Sequence, residues 1–527
     1  MARWWQGAVG YEIYPRSFAD SNNDGIGDLE GIRQRLPYLE QLGVDAIWIA
    51  PFYDSPGFDH GYDVADYKAV NAIHGDLADF DDLVGDAHRR GVKVIVDIVP
   101  NHSSSHHVWF REALKGRDNH YRNYYIWKDP ARDGGPPNNW VSHFGGPAWT
   151  LDEASGQYWC HLFLPEQPDL NWTNPAVADE FDGILRFWCE RGADGFRIDV
   201  AHGVMKDSLF RDNPLRIPIE DPDDPSEVFN AYDHIYDLDQ DATVDVYKRW
   251  NKVVAPYDAI LIGETSPRSL DRVARYVQGQ SLHTVFYLEP GWMEWNPSDL
   301  LDKLETVHRS TDTGVSWVID NHDCSRSPTR FGGGDVGRSR SLAVMTFMMA
   351  LGGFPFLWEG QELGLVDAHV AAANLEDPIS TRNEHGVGRD GTRTVMPWDT
   401  SHSNGFAESA EPWLAAPPRS AGETVAAQLE DNSSWLHRHR RLLEVRKANP
   451  DLWSAEPEWL AAPPGAIRML RRGTALAVTN LEPTSAQIEL PAGEWDVVYG
   501  STPPLTQQPA DILVAAPESS YLLVTRT

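Results

Sequence analysis

"VKVIVDIVPNH", residues 92–102, decides the fold. Its first eight residues form an apolar, β-branched run, as expected of a strand buried on both faces in a parallel sheet. Just upstream, Phe80, Leu83, Val84 and Ala87 recur at helical spacing, and Gly91 stops the run. Helix therefore feeds strand. The same order opens the chain: "YEIYP" (11–15), then a helix with Leu29, Ile32, Leu36, Leu39 and Leu42 on one face, Gly43 as its stop, and "VDAIWIA" (44–50). It returns at "NPAVADEFDGILRFWCERG", where Asn174 is the N-cap and Pro175 the first helical residue, leading into "GFRID" (195–199). "AILIGE" (259–264), "HTVFYLE" (283–289), "SWVIDNH" (316–322) and "PFLWEG" (355–360) read as later strands. Eight strands alternating with helices predict an α/β chain folded as a (β/α)8, or TIM, barrel. A doubly wound sheet would be expected to carry a glycine-rich phosphate loop after its first strand, and none is there.

Two stretches interrupt the alternation: 102–170, rich in Trp, Tyr, Gly and Pro, and 206–235. Both follow strands, so both are expected over the C-terminal face of the barrel, where such enzymes keep their chemistry. Beyond a helix at 434–450 the chain turns to short alternating runs such as "TALAVTNL", "AQIEL" and "SYLLVTRT". The expected organisation is a barrel of residues 1–101 and 171–450, an inserted domain at 102–170, and a C-terminal antiparallel β-sandwich at 451–527. A chain of 527 residues exceeds what one core organises.

Lys and Arg total 45 against 78 Asp and Glu, a formal charge of −33, which argues against a nucleic-acid or anionic-membrane surface. The three cysteines, Cys160, Cys189 and Cys324, lack ligand-like spacing, and an odd number cannot all pair within the chain. Buried thiols in a reducing compartment fit best. With no signal-like start and no long apolar stretch, the reading is cytoplasmic.

"SNNDGIGDLEG" (21–31), with Asp20 before it, spaces oxygen-bearing side chains two apart around a glycine. Asp20, Asn22, Asp24 and Gly25 fit a calcium loop, but its twelfth position is Gly31 where an EF-hand needs a bidentate Glu. A calcium sensor is excluded on that ground. The spacing leaves open a polar turn capping the next helix or a one-site metal brace.

A barrel enzyme should gather acids and histidines at strand C-termini. Asp97, Asn101 and His102 end the third strand, Arg197 and Asp199 the fourth, Glu264 the fifth, and His322 and Asp323 the seventh. Two carboxyls facing across a cleft can cleave an acetal, one as nucleophile and one as protonated acid. Asp199 suits the nucleophile, because Arg197 lies two residues earlier on the same strand face and is expected to hold it ionised. Glu264 follows an apolar strand, where desolvation is expected to keep it protonated. A metal-dependent hydrolase would need an HxH or HExxH pair, which does not flank His102 or His322.

"DIVPNH", "GFRIDVAH", "LIGET" and "VIDNHD", with "GYDVADY" (61–67) and "QPDLNW" (167–172), resemble the ordered motifs of the α-amylase family of glycoside hydrolases, within it the α-glucosidase and oligo-1,6-glucosidase branch. The resemblance spans residues 4 to about 450. It implies Asp199 as nucleophile, Glu264 as acid/base and Asp323 as a third carboxylate on the sugar hydroxyls, with Arg197 orienting Asp199. It further implies that His102 and His322 bond the glucose, that Tyr62 stacks on it, that Asp97 braces the floor, and that Asp63 and Arg393 of "GTRTVMPWD" close the pocket behind a non-reducing glucose. In the calcium-like stretch it implies a structural Ca2+ or Mg2+, not catalytic, on Asp20, Asn22, Asp24, Asp28 and the Ile26 carbonyl, with no organic cofactor.

The expected activity is that of a retaining exo-α-glucosidase acting on a short oligosaccharide or glucoside. Within that branch the resemblance ties Val at the position after the nucleophile, here Val200, to α-1,6 linkages, whereas "DVAHG" resembles maltose-cleaving relatives and favours α-1,4. Sucrose, trehalose, aryl glucosides and transglucosylation stay open. A non-catalytic partner subunit of a membrane transporter would have lost the catalytic residues and carried a membrane span.

Overall fold

The computed structural model describes residues 3–266, 269–311, 315–382, 388–502 and 511–526. Among them all eight expected strands form one parallel sheet: β1 (Gly10–Ile13), β2 (Ala46–Ile49), β3 (Lys93–Ile98), β4 (Gly195–Ile198), β5 (Ile260–Thr265), β6 (Thr284–Tyr287), β7 (Ser316–Trp317) and β8 (Phe356–Trp358). Hydrogen bonding runs in the order β7-β6-β5-β4-β3-β2-β1-β8, a barrel closed except along the β7–β8 seam. β7 is shorter than the run "SWVIDNH" suggests. Past Trp317 the chain turns to side-chain partners: Asp320 accepts the Ser327 amide and, at 2.7 Å, its hydroxyl, and these replace the ladder.

Side chains alternate along a strand, so Trp48 on β2, Ile95 and Asp97 on β3, Arg197 on β4, and Ile260, Ile262 and Glu264 on β5 share the inner face. The deeper members, with Phe286, Val318 and Phe356, form one buried apolar cluster. Each such side chain stabilises the fold by roughly 1.5–3 kcal/mol on burial. At the C-terminal mouth the inner face becomes charged, on the same strands and in the same register: Asp97 pairs with Arg197, and Arg197 with Ile262.

The helix Leu29–Leu42 starts at Asp28, whose side chain accepts from the Gly31 amide, and ends at Gly43 with φ 96°, a left-handed position suited to glycine. The inserted region carries a three-stranded antiparallel sheet, Trp127–Lys128, Gln157–Cys160 and Trp149–Asp152. Antiparallel bridges His102–Asp169 and Tyr125–Leu170 lay its returning end against the mouth of β3. The C-terminal region is antiparallel, with a five-stranded sheet and a separate pair, Ala486–Glu489 with Ile512–Ala515, around Ile467, Leu476, Val478, Leu513 and Leu523. Among the described residues no helix is long and apolar enough to cross a membrane. The three cysteines are buried free thiols.

Candidate active site

Arg197 is the hub of the mouth. Its Nη1 donates to Asp97 at 2.9 Å and to Asp199 Oδ1 at 2.8 Å, while its Nη2 lies 2.7 Å from Glu264 Oε2. The guanidinium packs 4.8 Å from the Trp48 ring. Asp199 and Glu264 thus sit on adjacent nitrogens of one planar group, which holds them face to face. Two expectations change here. Burial raises the Asp199 carboxyl well above the usual carboxylate range, and Glu264 and Asp97 add to the rise; Arg197 opposes it but does not win, because it is shared. Glu264 has an ion-pair partner rather than purely apolar surroundings, and the Val200 amide donates to the same Oε2 at 2.9 Å. Burial also pushes Asp97 up to about 7.

Val200 turns its amide toward Glu264 by adopting φ 41°. For a β-branched residue that is a strained conformation, of the kind retained where surrounding structure over-determines it.

Past β7, His322 and Asp323 form the opposite wall. Asp323 Oδ1 accepts from Arg389 and Arg393, each at 2.8 Å. Burial alone would raise this carboxyl, but His322, Arg389 and Arg393 together hold it well below the usual range. His322 Nε2 lies 2.7 Å from the Tyr62 hydroxyl, and its Nδ1 meets Glu12 Oε1 of β1 at 2.5 Å. Tyr62 and His322 stack with ring centroids 5.4 Å apart.

The expected closing pair, Asp63 and Arg393, needs correction. Asp63 is fully buried and holds its own turn, accepting from Ser55 Oγ at 3.0 Å and from the amides of Phe58 and Asp59 at 3.1 and 2.9 Å. Arg393 faces Asp323 and the His322 carbonyl instead. The ion pair beside Asp323 is Arg389 with Asp59, at 3.4 Å, and Asp377 steadies Arg389 at 2.7 Å. Gln167, the first residue of "QPDLNW", joins this wall, donating to Asp59 at 3.0 Å and lying 3.1 Å from His102 Nε2. Burial lowers His102 to about 4, so it faces the pocket as a neutral ring. Sequence reading missed Asp59, Arg389, Gln167 and Glu12. Asp59 and Arg389 each stand four residues before the one singled out, in the same turns.

The loop at 20–28 uses its acids locally. Asp20 accepts from the amides of Asn23 and Gly25 at 2.6 and 2.7 Å, Asn22 from Asp24, Asp24 from Ile26, and Asp28 from Ser21 and Gly31. Among the described residues no three His, Cys, Asp or Glu side chains gather at metal-binding spacing. A Cβ on Gly31 would meet the Ala19 carbonyl at 2.1 Å, so packing forbids a twelfth-position Glu.

A parallel barrel carrying Asp199, Glu264 and Asp323 on three strand ends, with an arginine spanning the first two, defines an acetal-cleaving barrel enzyme. The chain belongs to the α-amylase family of glycoside hydrolases, whose alpha amylase catalytic-domain model matches residues 12–455. It is 39% identical to a probable alpha-glucosidase of Rhizobium meliloti over 94% of this chain and 93% of that one. It is 34% identical to an oligo-1,6-glucosidase of Heyndrickxia coagulans over 95% and 96% of the two chains. Among solved structures, the alpha-glucosyl transfer enzyme XgtA superposes with a TM-score of 0.92 at 36% identity, over 100% of both chains.

Proposed function

We propose that the protein is a retaining, exo-acting α-glucosidase that releases α-glucose from the non-reducing end of short α-glucosides, with α-1,4 linkages preferred. The observation that carries this is the single guanidinium bonded to both Asp199 and Glu264. Retention requires carboxyls about 5–5.5 Å apart, with no room for an intervening water. In the reactive form the proton held by these carboxyls sits on Glu264 and Asp199 is ionised against Arg197. Asp199 attacks the anomeric carbon while Glu264 gives its proton to the leaving oxygen, and Glu264 then takes a proton from water, which attacks the glucosyl ester from the vacated side. Asp323, held ionised by Arg389 and Arg393, would bind sugar hydroxyls, and the Asp59–Arg389 pair would close the pocket behind them.

Glucosyl transfer is the second reading, favoured by the likeness to the alpha-glucosyl transfer enzyme. It differs only in whether water or a sugar hydroxyl attacks the intermediate. Proton NMR of the protein with equal maltose and isomaltose tests all of this. Early α-glucose supports retention, the disaccharide consumed first reports linkage, and new disaccharides report transfer. Early β-glucose would overturn the mechanism.

The loop at 20–28 is proposed to hold Ca2+ or Mg2+ through Asp20, Asn22, Asp24, Asp28 and the Ile26 carbonyl. A carboxylate oxygen that accepts an amide keeps a second lone pair for a hard cation. Chelation should lower the calorimetric Tm and added Ca2+ should restore it. A Tm indifferent to both would remove the metal from the account.

A further inference from the structure

Behind the segment that follows the nucleophile, a cleft of about 530 Å3 lies between the inserted region and residues 204–210. Its lining includes Arg117, Arg122, Lys128 and Lys206 and no acidic residue. In a chain of net charge −33, four cations without an acid at the same surface are an unusual local composition. Asp129, Asp152 and Asp169 pair with Arg117, Arg122 and Lys206, but none of the three lines the cleft.

Lys128 has no ion-pair partner among the described residues; its ammonium lies 3.7 Å from the Phe210 ring centroid, and burial lowers its proton affinity. Arg122, 6% exposed, keeps Nε buried and without a hydrogen-bond partner, and the Trp127 indole nitrogen is in the same condition. Buried unpaired donors are costly unless something completes them. The aromatic faces are already covered, Trp127 by Phe110 on a parallel plane and by Arg122, so a neutral sugar finds little to stack on. The unmet chemistry offered to the cleft is the ammonium of Lys128, the lining cation without an acid partner among the described residues.

We propose that this cleft is an anion site, separate from the catalytic pocket, that takes a small phosphorylated solute. Its volume suits a ligand of that size, and Arg and Lys together match phosphate oxygens. The acid-walled catalytic pocket disfavours the same ligand. Lys206 also connects the cleft to catalysis: its ammonium reaches Asn101 Oδ1 at 2.9 Å and Asp169 Oδ2 at 3.0 Å, and Asn101 lies 3.2 Å from His102 Nδ1. An anion drawn to Lys206 competes with those bonds.

The test is calorimetric titration of the full chain with inorganic phosphate, glucose 6-phosphate and glucose, repeated on Lys128→Glu and Arg117→Ala. Neither side chain supports the core, so both variants should fold, which circular dichroism checks. Phosphate or its ester should bind the wild type, and Lys128→Glu should weaken binding roughly tenfold or more, the loss of one charge-assisted contact plus a repulsion. A tighter ester than free phosphate identifies an organic phosphate; equal affinities identify the free anion. Binding unchanged in Lys128→Glu, or no binding of either anion, overturns the site. With a chromogenic α-glucoside, saturating ligand should change KM in the wild type and not in Lys128→Glu; an unchanged wild-type KM overturns the link through Lys206.

Discussion

The two walls of the catalytic pocket solve opposite charge problems. On one, three carboxyls, Asp97 and Asp199 buried and Glu264 half-buried, share the guanidinium of Arg197. On the other, the single carboxylate of Asp323 is bonded by Arg389 and Arg393. Three acids on one cation cannot all ionise cheaply, so the first wall retains a proton; Asp323 has Arg393 to itself besides a share of Arg389, which also serves Asp59 and Asp377, and it stays anionic at any working pH. A retaining glycosidase needs both: a wall that stores and moves a proton, and a wall that grips hydroxyls without titrating. The difference lies in how the cations are shared: Arg197 serves every acid of the first wall, whereas Asp323 draws on two arginines.

The largest expected break comes from Asp199→Asn. It removes the proposed nucleophile and should lower kcat by on the order of 10^4 or more, as losses of essential catalytic groups do. It also removes a carboxyl that burial disfavours, so Tm at pH 7 should rise. Kinetics and calorimetry on one preparation check both, and substantial residual turnover would place the nucleophile elsewhere.

Unequal sharing predicts unequal cost next. Arg197→Met leaves the buried acids Asp97 and Asp199, and the half-buried Glu264, without their cation and should destabilise by about 3–5 kcal/mol at pH 7. Arg393→Met leaves Asp323 with Arg389 and takes the cation from no other acid among the described residues, so it should cost clearly less. The Arg197→Met penalty should shrink toward pH 5, as the stranded acids take up protons. Denaturant melts at both pH values measure it, and equal penalties for the two arginines would refute the asymmetry.

Titration of the unmodified protein sharpens the contrast. Asp97, pushed up to about 7, keeps in the folded state a proton that the unfolded chain releases near 3.9. Its contribution is therefore complete below about pH 4 and is lost as pH rises toward 7, with a slope of at most about 1.4 kcal/mol per pH unit. Asp323, held low, contributes stability that is present above the ordinary carboxylate range and lost only as pH falls beneath it. Between pH 4 and 7 Asp97 therefore adds a downward slope to the stability curve, and Asp97→Asn should remove that component.

How much of this was legible in the sequence follows from the range of the forces involved. Strands such as 92–99, and the acids ending them, were readable because double-sided burial and a period of two write themselves into consecutive residues. So was Arg197 beside Asp199, two apart on one strand. The closing pair was not. Asp59 and Asp63 belong to one turn, and what decides which faces the pocket is that the amides of Phe58 and Asp59 claim Asp63. Likewise Arg389 and Arg393 share a loop, and only its path past Asp59 selects the outer one. Glu12 looked like one more residue of a buried strand, because its partner His322 lies 310 positions away.

That partner makes Glu12 the subject of the smallest effect. Glu12 and His322 are both buried; burial raises the first carboxyl well above its usual range and holds the second ring neutral. The pair is then a neutral acid donating to Nδ1, which leaves the ring proton on Nε2, 3.3 Å from Asp323 Oδ2 and 2.7 Å from the Tyr62 oxygen. Tyr62 in turn reaches Asp97 and Arg197 at 3.4 Å, so Glu12–His322–Tyr62 is a hydrogen-bonded bridge between the walls. Glu12 touches no reacting atom and acts as a positioning residue. Glu12→Ala should release the imidazole and lower kcat/KM by up to roughly tenfold, the worth of one hydrogen bond of about 0.5–1.5 kcal/mol, acting mainly through KM. Glu12→Gln, whose amide can still donate to Nδ1, should recover most of the loss. If both variants change Tm alone, with KM and kcat intact, Glu12 serves the fold and the walls are tuned independently.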